Sequence, residues 1–343
     1  MKKLNFICVV LLLFVLNLSA HGKELRVLQF NIWQEGTMVN GGFDAIVDNI
    51  VSLKPDMVTF CEVRNYKDVK FIPRLVKALG EKGMKYYGKE SVSTGIISLY
   101  PIEKQAVVSP LENDHGSVLK ANIKVGSAEV ALYAAHLDYL NYACFLPRGY
   151  DGSTFQQIAA PVTNIDSILA DNRASYRDDE IRNFIEDAKK ERARGSIVIL
   201  GGDFNEPSLL DWRKDTKNMR DHNGVVIDWD CSKLLLDNGY KDSYRVIYPN
   251  AVKHPGFTFP ADNKDVELKK LVWASKVDER DRIDFIYYYP MKSLKLKGVS
   301  IVGPSGSILR GQRAADESGE HFIPSKGVWP TDHKALMTTF VIK

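Results

Sequence analysis

Short apolar runs alternate along the chain with amphipathic stretches, and the runs are rich in the β-branched residues that favour strands. Helical spacing of apolar residues predicts helices near 43–51, 74–83 and 178–194, the last with acids at its start, bases at its end and a glycine after it. The predicted strands are residues 25–33, 57–63, 94–102, 118–125, 130–137, 196–205, 282–289 and 335–342. Many strands with few helices predict an α/β sandwich.

The first 20 residues have the layout of a secretory signal peptide. Lys2 and Lys3 precede an apolar run at 4–16, and the small residues Ser19 and Ala20 follow it. The run is shorter than the roughly 20 residues of a comfortable membrane span, although an N-terminal anchor is the alternative. We expect cleavage after Ala20 and a secreted or periplasmic protein with no membrane span after processing.

Residues 21–343 are predicted to form one domain, because no repeat, linker or change in composition divides them. Long loops are expected near 140–177, 208–231 and 302–331. Such loops on a compact scaffold tend to carry specificity.

Composition narrows the range of functions. The chain is 45% hydrophobic and 26% charged, as in folded globular proteins. Its 46 basic and 43 acidic residues give a net charge of +3, and loss of Lys2 and Lys3 would leave it near +1. This weakens any function that needs a broad basic face for nucleic acid, without excluding a local basic patch. Three cysteines follow residue 20, an odd number that argues against a disulfide scaffold.

Polar side chains with catalytic potential stand at the ends of the predicted strands. Each alone is more often a turn former or a structural residue. Together they suggest that several strand ends converge on one cleft. The residues are Asn31, Glu62, His136, Asp138, Asp203, Asn205, Asp284, Asp332 and His333.

This combination supports phosphoester hydrolysis. Carboxylate and amide oxygens suit Mg²⁺ or Mn²⁺, which can neutralise developing charge and help to generate a nucleophilic water. A histidine paired with a carboxylate can act as a base or donor near neutral pH, and Asp284 with His333 could form such a pair. Glu62 or another acid could orient His136. The sequence has no HExxH, CxxC pair or GxxxxGK[ST], so zincin, zinc-ribbon and P-loop motifs are absent.

Six segments resemble the endonuclease/exonuclease/phosphatase superfamily, a metal-dependent group that includes DNase I, neutral sphingomyelinases and inositol polyphosphate 5-phosphatases. Their order and spacing agree from about residue 25 to residue 342. The resemblance implies a DNase I-like four-layer α/β/β/α sandwich with the active site at one edge of two central sheets. The segments are QFNIW at 29–33, FCEV at 60–63, AAHLD at 134–138, GGDFNEP at 201–207, DRIDFIYY at 281–288 and TDHKAL at 331–336.

The same resemblance implies a role for each residue. Glu62 would be the main metal carboxylate, with Asn31 beside it and Asp332 near the metal. The catalytic residues would be His136, which donates to the phosphate or leaving group; Asp203 and Asn205, which hold the attacking water and the phosphate; and His333, a base or phosphate-binding imidazole oriented by Asp284. The metal set would be Asn31, Glu62, Asp203, Asn205, Asp332 and His333.

The sequence also departs from the family pattern. Several relatives have an arginine just before the strand near residue 118, where this chain has Asp114, His115 and Gly116. His115 could substitute, or it could be an ordinary loop histidine. The aromatic residues of 140–177 could line a substrate pocket or could only pack the loop.

The expected protein is a secreted, divalent-metal-dependent phosphodiesterase or phosphatase, and a monomer. Its substrate could be DNA, a phospholipid head group or a phosphorylated sugar. Trp273 could contribute to a membrane contact. The alternative is a non-catalytic binding module on the same fold, which predicts the loss of at least one of the site residues.

Overall fold

A computed structural model describes residues 22–110 and 115–343 of the protein. The predicted signal peptide lies outside the described residues. Within them, no helix has both the length and the apolar character needed to cross a membrane. The helices are α1 Gly42–Leu53, α2 Phe71–Glu81, α3 Ile165–Asn172, α4 Arg177–Ala193, α5 Asp230–Asp237 and α6 Ser243–Ile247, with 3₁₀ helices at Gln34–Gly36, Tyr66–Asp68, Ala143–Arg148 and Leu268–Lys270.

The strands form two large sheets and one small hairpin. The first sheet has the order β14-β11-β15-β1-β2-β4-β3, and the second has the order β5-β6-β7-β8-β10-β9. The strands are β1 Lys23–Asn31, β2 Met57–Val63, β3 Tyr87–Gly88, β4 Ser93–Ser98, β5 Ile102–Ser109, β6 Ser117–Val125, β7 Ala128–His136, β8 Ile197–Asp203, β9 Lys241–Asp242, β10 Asp284–Tyr288, β11 Leu294–Val302, β12 Ser307–Leu309, β13 Gln312–Ala314, β14 Phe322–Ile323 and β15 Ala335–Ile342.

Three apolar layers hold these elements together. One lies between the two sheets, with Leu132, Ile199 and Phe340 near its centre. A second packs α1 and α2 onto the outer face of the first sheet. The third packs α4 and α5 onto the outer face of the second sheet. The predicted four-layer α/β/β/α sandwich is therefore confirmed. Burial of these apolar faces is the main favourable contribution to its free energy of folding.

The predicted strands are present with ends shifted by a few residues, with one exception. The strand predicted at 94–102 ends at Ser98, and β5 starts a separate strand at Ile102. The sequence reasoning missed β5 and β11. β11 begins with lysines that alternate with leucines, and β5 has polar residues at 103–105 that separate Ile102 from the apolar residues 106–108. Neither strand therefore stands out as one long apolar run.

Two of the three segments expected to be long loops contain regular structure, and the third is almost entirely turns. Residues 140–177 hold the 3₁₀ helix Ala143–Arg148 and α3, while residues 302–331 hold β12, β13 and β14. Residues 208–229 form turns without a helix or strand. Aromatic and aliphatic side chains from 140–177, 208–231 and the chain around Phe259 form a further buried cluster, which we call the loop core.

Candidate functional site

Three of the predicted site residues lie side by side across the second sheet. His136 at the end of β7 pairs in register with Asp203 at the end of the parallel strand β8. Asp203 in turn pairs with Asp284, the first residue of the antiparallel strand β10. The fold therefore places an imidazole and two carboxylates at one edge of the sheet.

The first sheet brings four further residues to the same edge. Asn31 is the last residue of β1, and Asp332 and His333 lie just before β15. Glu62 occupies a β-bulge in β2 and has a left-handed backbone, with φ 67°. Bulges of this kind redirect a side chain next to a functional site, at a cost in backbone strain.

The turn after β1 fastens two of these side chains. Trp33, Gln34 and Glu35 all have positive φ angles, of 38°, 55° and 62°. The Trp33 amide donates to Asn31 Oδ1 at 2.9 Å, and the Gln34 amide donates to Glu62 Oε2 at 2.8 Å. This left-handed turn thus fixes Asn31 and Glu62 relative to each other. The sequence did not predict this turn, because a positive φ is expected mainly at glycine and none of these three residues is glycine.

His333 lies at the centre of the site. Its Nδ1 lies 2.9 Å from Asp284 Oδ2, and its Nε2 lies 3.7 Å from Asp203 Oδ2 and 3.9 Å from Asp332 Oδ1. Burial by itself lowers the pKa of His333, but the charges of Asp284 and Asp203 outweigh it and raise that pKa to about 10. The neighbouring carboxylates thus favour the protonated form of the imidazole.

Asp203 accepts hydrogen bonds from two neighbours. Asn31 Nδ2 donates to its Oδ2 at 2.8 Å, and the Asn205 amide donates to its Oδ1 at 3.0 Å. Asn205 has a φ of 47°, and its own Nδ2 donates to the Leu137 carbonyl at 2.9 Å. Burial, followed by the charge of Asp284, raises the pKa of Asp203, although His333 lowers it. A carboxylate with a raised pKa is a better proton acceptor.

Asp332 and Glu62 form a second acidic centre beside His333. Burial raises the pKa of Asp332 to about 7, with His333 lowering it and the charge of Glu62 raising it again. Crowded carboxylates of this kind are costly unless a cation is nearby. Oxygen donors from two acids and an amide are the chemistry that Mg²⁺ and Mn²⁺ prefer. The residues present therefore fit a divalent cation at Glu62, Asp332 and Asn31.

A second arrangement also brings ligand-type atoms together. Among the described residues, Asp203, Asp284 and His333 offer one ligand atom each within 4.8 Å of one another. In this group Asp284 Oδ2 is already bonded to His333 Nδ1, and Gln29 Nε2 lies 3.5 Å from the other Asp284 oxygen. Asp284 therefore orients the imidazole, and Glu62 with Asp332 remains the better place for a metal.

His136 lies on the other side of Asp203. Its Nδ1 is 3.2 Å from Ser93 Oγ of the first sheet, and Ser117 pairs with it across the β6–β7 ladder. Eight of the nine polar residues identified at the ends of the predicted strands thus lie at a single edge of the sandwich, contributed by both sheets, and the ninth, Asp138, lies apart from them.

Two close contacts beneath the site depend on glycines, one between the two sheets at Gly201 and one between β7 and β8 of the second sheet at Gly202. A Cβ at Gly201 would overlap Thr59 Oγ1 of the first sheet, and a Cβ at Gly202 would overlap the Ala135 carbonyl. Thr59 Oγ1 instead donates to Gln29 Oε1 at 2.6 Å. Gln29 supports Asp284 from below, a role that sequence reasoning did not assign.

Other candidates lie apart from this group. His115 Nδ1 pairs with Asp138 Oδ1 at 2.9 Å, and its ring stacks on Tyr139. Asp138 also accepts from the Leu140 and Tyr176 amides, so it organises the start of the following loop. Three aromatic residues of the loop, Tyr142, Phe145 and Tyr150, are buried in the loop core and serve packing.

Residues 28–333 match the Endonuclease/Exonuclease/phosphatase family. The chain belongs to that family. Its members are typically metal-dependent phosphoesterases that use a divalent cation such as Mg²⁺, so the chain has a phosphoesterase-type function. The family predicted from the six sequence segments is confirmed.

Known relatives resemble this Endonuclease/Exonuclease/phosphatase chain over most of its length. It is 29% identical over 270 residues to the uncharacterized Caenorhabditis elegans protein F14F9.5, covering 77% of this chain and 78% of that protein. Truncated Caenorhabditis elegans TDP2 superposes with a TM-score of 0.52 at 17% identity, over 93% of this chain and 97% of that one.

Two further structures share the fold. D. rerio TDP2 complexed with a single-strand DNA product has a TM-score of 0.51 at 15% identity, over 92% of this chain and 98% of that one. The human nocturnin catalytic domain with bound sulfate has a TM-score of 0.51 at 14% identity, over 93% and 95%. At these identities the likeness concerns the fold.

Proposed function

We propose that this protein is a secreted phosphodiesterase that depends on Mg²⁺ or Mn²⁺ and uses in-line attack by water. One observation carries the proposal: His333 is held between Asp284 and Asp203 at the edge where Glu62 and Asp332 converge. An oriented imidazole beside a carboxylate pair supplies both a donor for phosphate and ligands for a cation.

The roles of the chain's own residues follow from their contacts. Asp284 occupies Nδ1 of His333, so Nε2 is the atom that would donate to a phosphate oxygen. Asp203, fixed by Asn31 and by the Asn205 amide, would orient the attacking water and take its proton. His136, beside Ser93, would donate to the leaving-group oxygen on the far side. These groups are held in position before the substrate binds, and such preorganisation supplies a large part of the rate enhancement in enzymes.

Glu62, Asp332 and Asn31 would hold the divalent cation. When bound, it would neutralise charge that develops on the phosphate oxygens. It would also offset the repulsion between the carboxylates of Glu62 and Asp332, which raises the pKa of Asp332.

The substrate classes are DNA, a phospholipid head group and a phosphorylated sugar. We place nucleic acid first, because D. rerio TDP2, which has the same fold, carries a single-strand DNA product. After removal of residues 1–20 the net charge would be near +1, so any nucleic acid would be bound by a local basic patch rather than by a broad basic face.

The test uses the protein without residues 1–20 on supercoiled plasmid and on bis(p-nitrophenyl) phosphate, with Mg²⁺ or EDTA. His333→Ala should lower turnover by roughly two orders of magnitude or more. His254→Ala is the matched control, because the His254 ring packs against Tyr248 and is only half-buried. Hydrolysis that persists in EDTA, or a His333→Ala variant with normal turnover, would refute the proposed mechanism. No hydrolysis of any phosphoester would favour a non-catalytic binding module.

Secretion and oligomeric state have separate tests. We propose cleavage after Ala20, which N-terminal sequencing of the exported protein would check. A full-length chain retained in the membrane would instead support an uncleaved anchor. We also propose a monomer, which size-exclusion chromatography with light scattering would measure.

A further inference from the structure

An exposed tryptophan lies two ring contacts away from the central histidine. Phe259 packs against the His333 ring, with centroids 5.0 Å apart, and Trp273 packs edge-on against Phe259 at 5.5 Å. On its other side, Trp273 contacts Phe155 at 4.3 Å. Phe259 is buried, whereas Trp273 is 38% exposed. Trp273, Phe155 and Phe259 together form what we call the Trp273 platform.

The platform is held in place rather than being a mobile surface side chain. Glu279 is fully buried, and its Oε2 accepts from the amides of both Trp273 and Ala274 at 3.0 Å. The other four tryptophans, Trp33, Trp212, Trp229 and Trp329, are at most 8% exposed. Trp273 therefore presents an anchored, partly exposed indole ring, two ring contacts from His333, on which a ligand can stack.

The charge of the segment that carries Trp273 indicates the kind of ligand. Residues 264–276 carry four lysines and two acids, a surplus of two positive charges in a protein that is otherwise near neutral. Lys264, Lys269, Lys270 and Lys276 are all exposed. Lys269 has an ion pair with Glu267 at 2.7 Å, and Lys276 donates to Gln157 at 3.0 Å. An aromatic side chain among lysines is the arrangement with which proteins hold single-stranded nucleic acid.

A membrane contact fits this surface less well. Trp273 is the one exposed large apolar side chain in residues 264–276, because Val266 and Leu271 are buried and Leu268 and Val272 are half-buried. Its ring also packs sideways towards His333 through Phe259. A lipid-inserting loop needs several apolar side chains pointing outward together.

We propose that the Trp273 platform is a subsite for single-stranded nucleic acid, in which a base stacks on Trp273 and nearby lysines contact the flanking phosphates. This rests on the proposed phosphodiesterase function, since it names the substrate of the same site. A base on Trp273 would place an adjoining phosphodiester in reach of the edge that carries His333.

The test measures binding separately from hydrolysis. A labelled oligo(dT) of about 12 nucleotides, a length typical of such sites, is titrated in EDTA, with anisotropy and tryptophan quenching as readouts. Trp273→Ala should weaken binding about tenfold, as expected for one lost base stack, and Trp273→Phe should retain most of the affinity. Circular dichroism and thermal melts confirm that each variant is folded.

A lysine pair supplies a second, independent readout. Lys269→Ala combined with Lys270→Ala should weaken binding and reduce the slope of log Kd against log salt by about 1.4, the value for two lost phosphate contacts to a single strand. The control is Lys124→Ala with Lys295→Ala, which removes two exposed lysines at the ends of β6 and β11 that lie away from the site. That control should bind as the unaltered protein does.

Three results would overturn the proposal: unchanged binding in Trp273→Ala, a Trp273→Phe variant that binds no better than Trp273→Ala, or a blue shift of Trp273 emission on phosphatidylserine vesicles with no oligonucleotide binding. The last result would assign the surface to a membrane. Binding is measured in EDTA, so it does not depend on catalysis. If the Trp273 platform binds oligo(dT) but the protein hydrolyses no phosphoester, only the proposed catalytic function is refuted.

Discussion

One buried ion pair connects the loop core to the site. Removing this pair should lower the stability of the protein by an amount that can be worked out from the structure. Arg148, from the 3₁₀ helix Ala143–Arg148, is fully buried at its side chain and lies 2.6 Å from Asp281 Oδ2. The Asp281 backbone pairs with Phe259, which contacts His333. Arg148→Ala therefore disturbs both the loop and the wall of the site.

The magnitude follows from what remains after truncation. Asp281 is 4% exposed and would keep only a 3.4 Å contact from the Trp212 indole and a 3.6 Å contact from the Cys144 thiol. An uncompensated buried charge of this kind costs about 3–5 kcal/mol, a large part of the about 5–15 kcal/mol that stabilises a domain. The expected loss is about 4 kcal/mol at pH 8.

The direction in which the loss of stability changes with pH follows from the pKa of Asp281. Burial raises the pKa of Asp281, and Arg148 opposes that rise, so truncation raises the pKa further. The folded variant then holds a proton that the unfolded chain releases above its ordinary pKa. Its stability must fall as the pH rises through this window, and the loss caused by Arg148→Ala should be smaller at pH 5 than at pH 8.

Urea unfolding at both pH values measures the effect, with Arg213→Ala as the control because Arg213 is half-exposed and its ion pair with Asp215 spans 3.7 Å. Such a surface pair contributes at most about 1 kcal/mol. A loss below 1 kcal/mol for Arg148→Ala, or one that grows as the pH falls, would refute the reasoning.

Three further predictions concern the metal, a buried acid and the close contact between β7 and β8 at Gly202. Glu62→Gln should raise the Mg²⁺ concentration for half-maximal activity at least about tenfold, with Glu129→Gln as the control; an unchanged titration would place the metal elsewhere. Burial raises the pKa of Glu180 to about 8, so stability should fall by a few kcal/mol from about pH 4.5 to pH 8, and a urea series on Glu180→Gln should remove that fall. Gly202→Ala should cost about 1–3 kcal/mol in urea unfolding, whereas Gly298→Ala, where a Cβ meets no atom within 4 Å, should cost much less.

The sequence determined the main strands and the candidate site residues. Buried strands such as β2 and β8 are mostly apolar, and each has an acidic residue at its last or next-to-last position. Because period and apolarity are local properties, they can be read without knowing the fold. The resemblance added the order of layers, which the structure confirms.

Only the tertiary structure decided how these residues act together. The register of β7, β8 and β10 places His136, Asp203 and Asp284 in one row, and the positive φ of Glu62 aims its side chain beside Asp332. Register and bulges depend on pairing between strands far apart in the chain, which no local pattern encodes. The same holds for Trp273, whose exposure beside Phe259 and His333 depends on how two distant loops pack against each other.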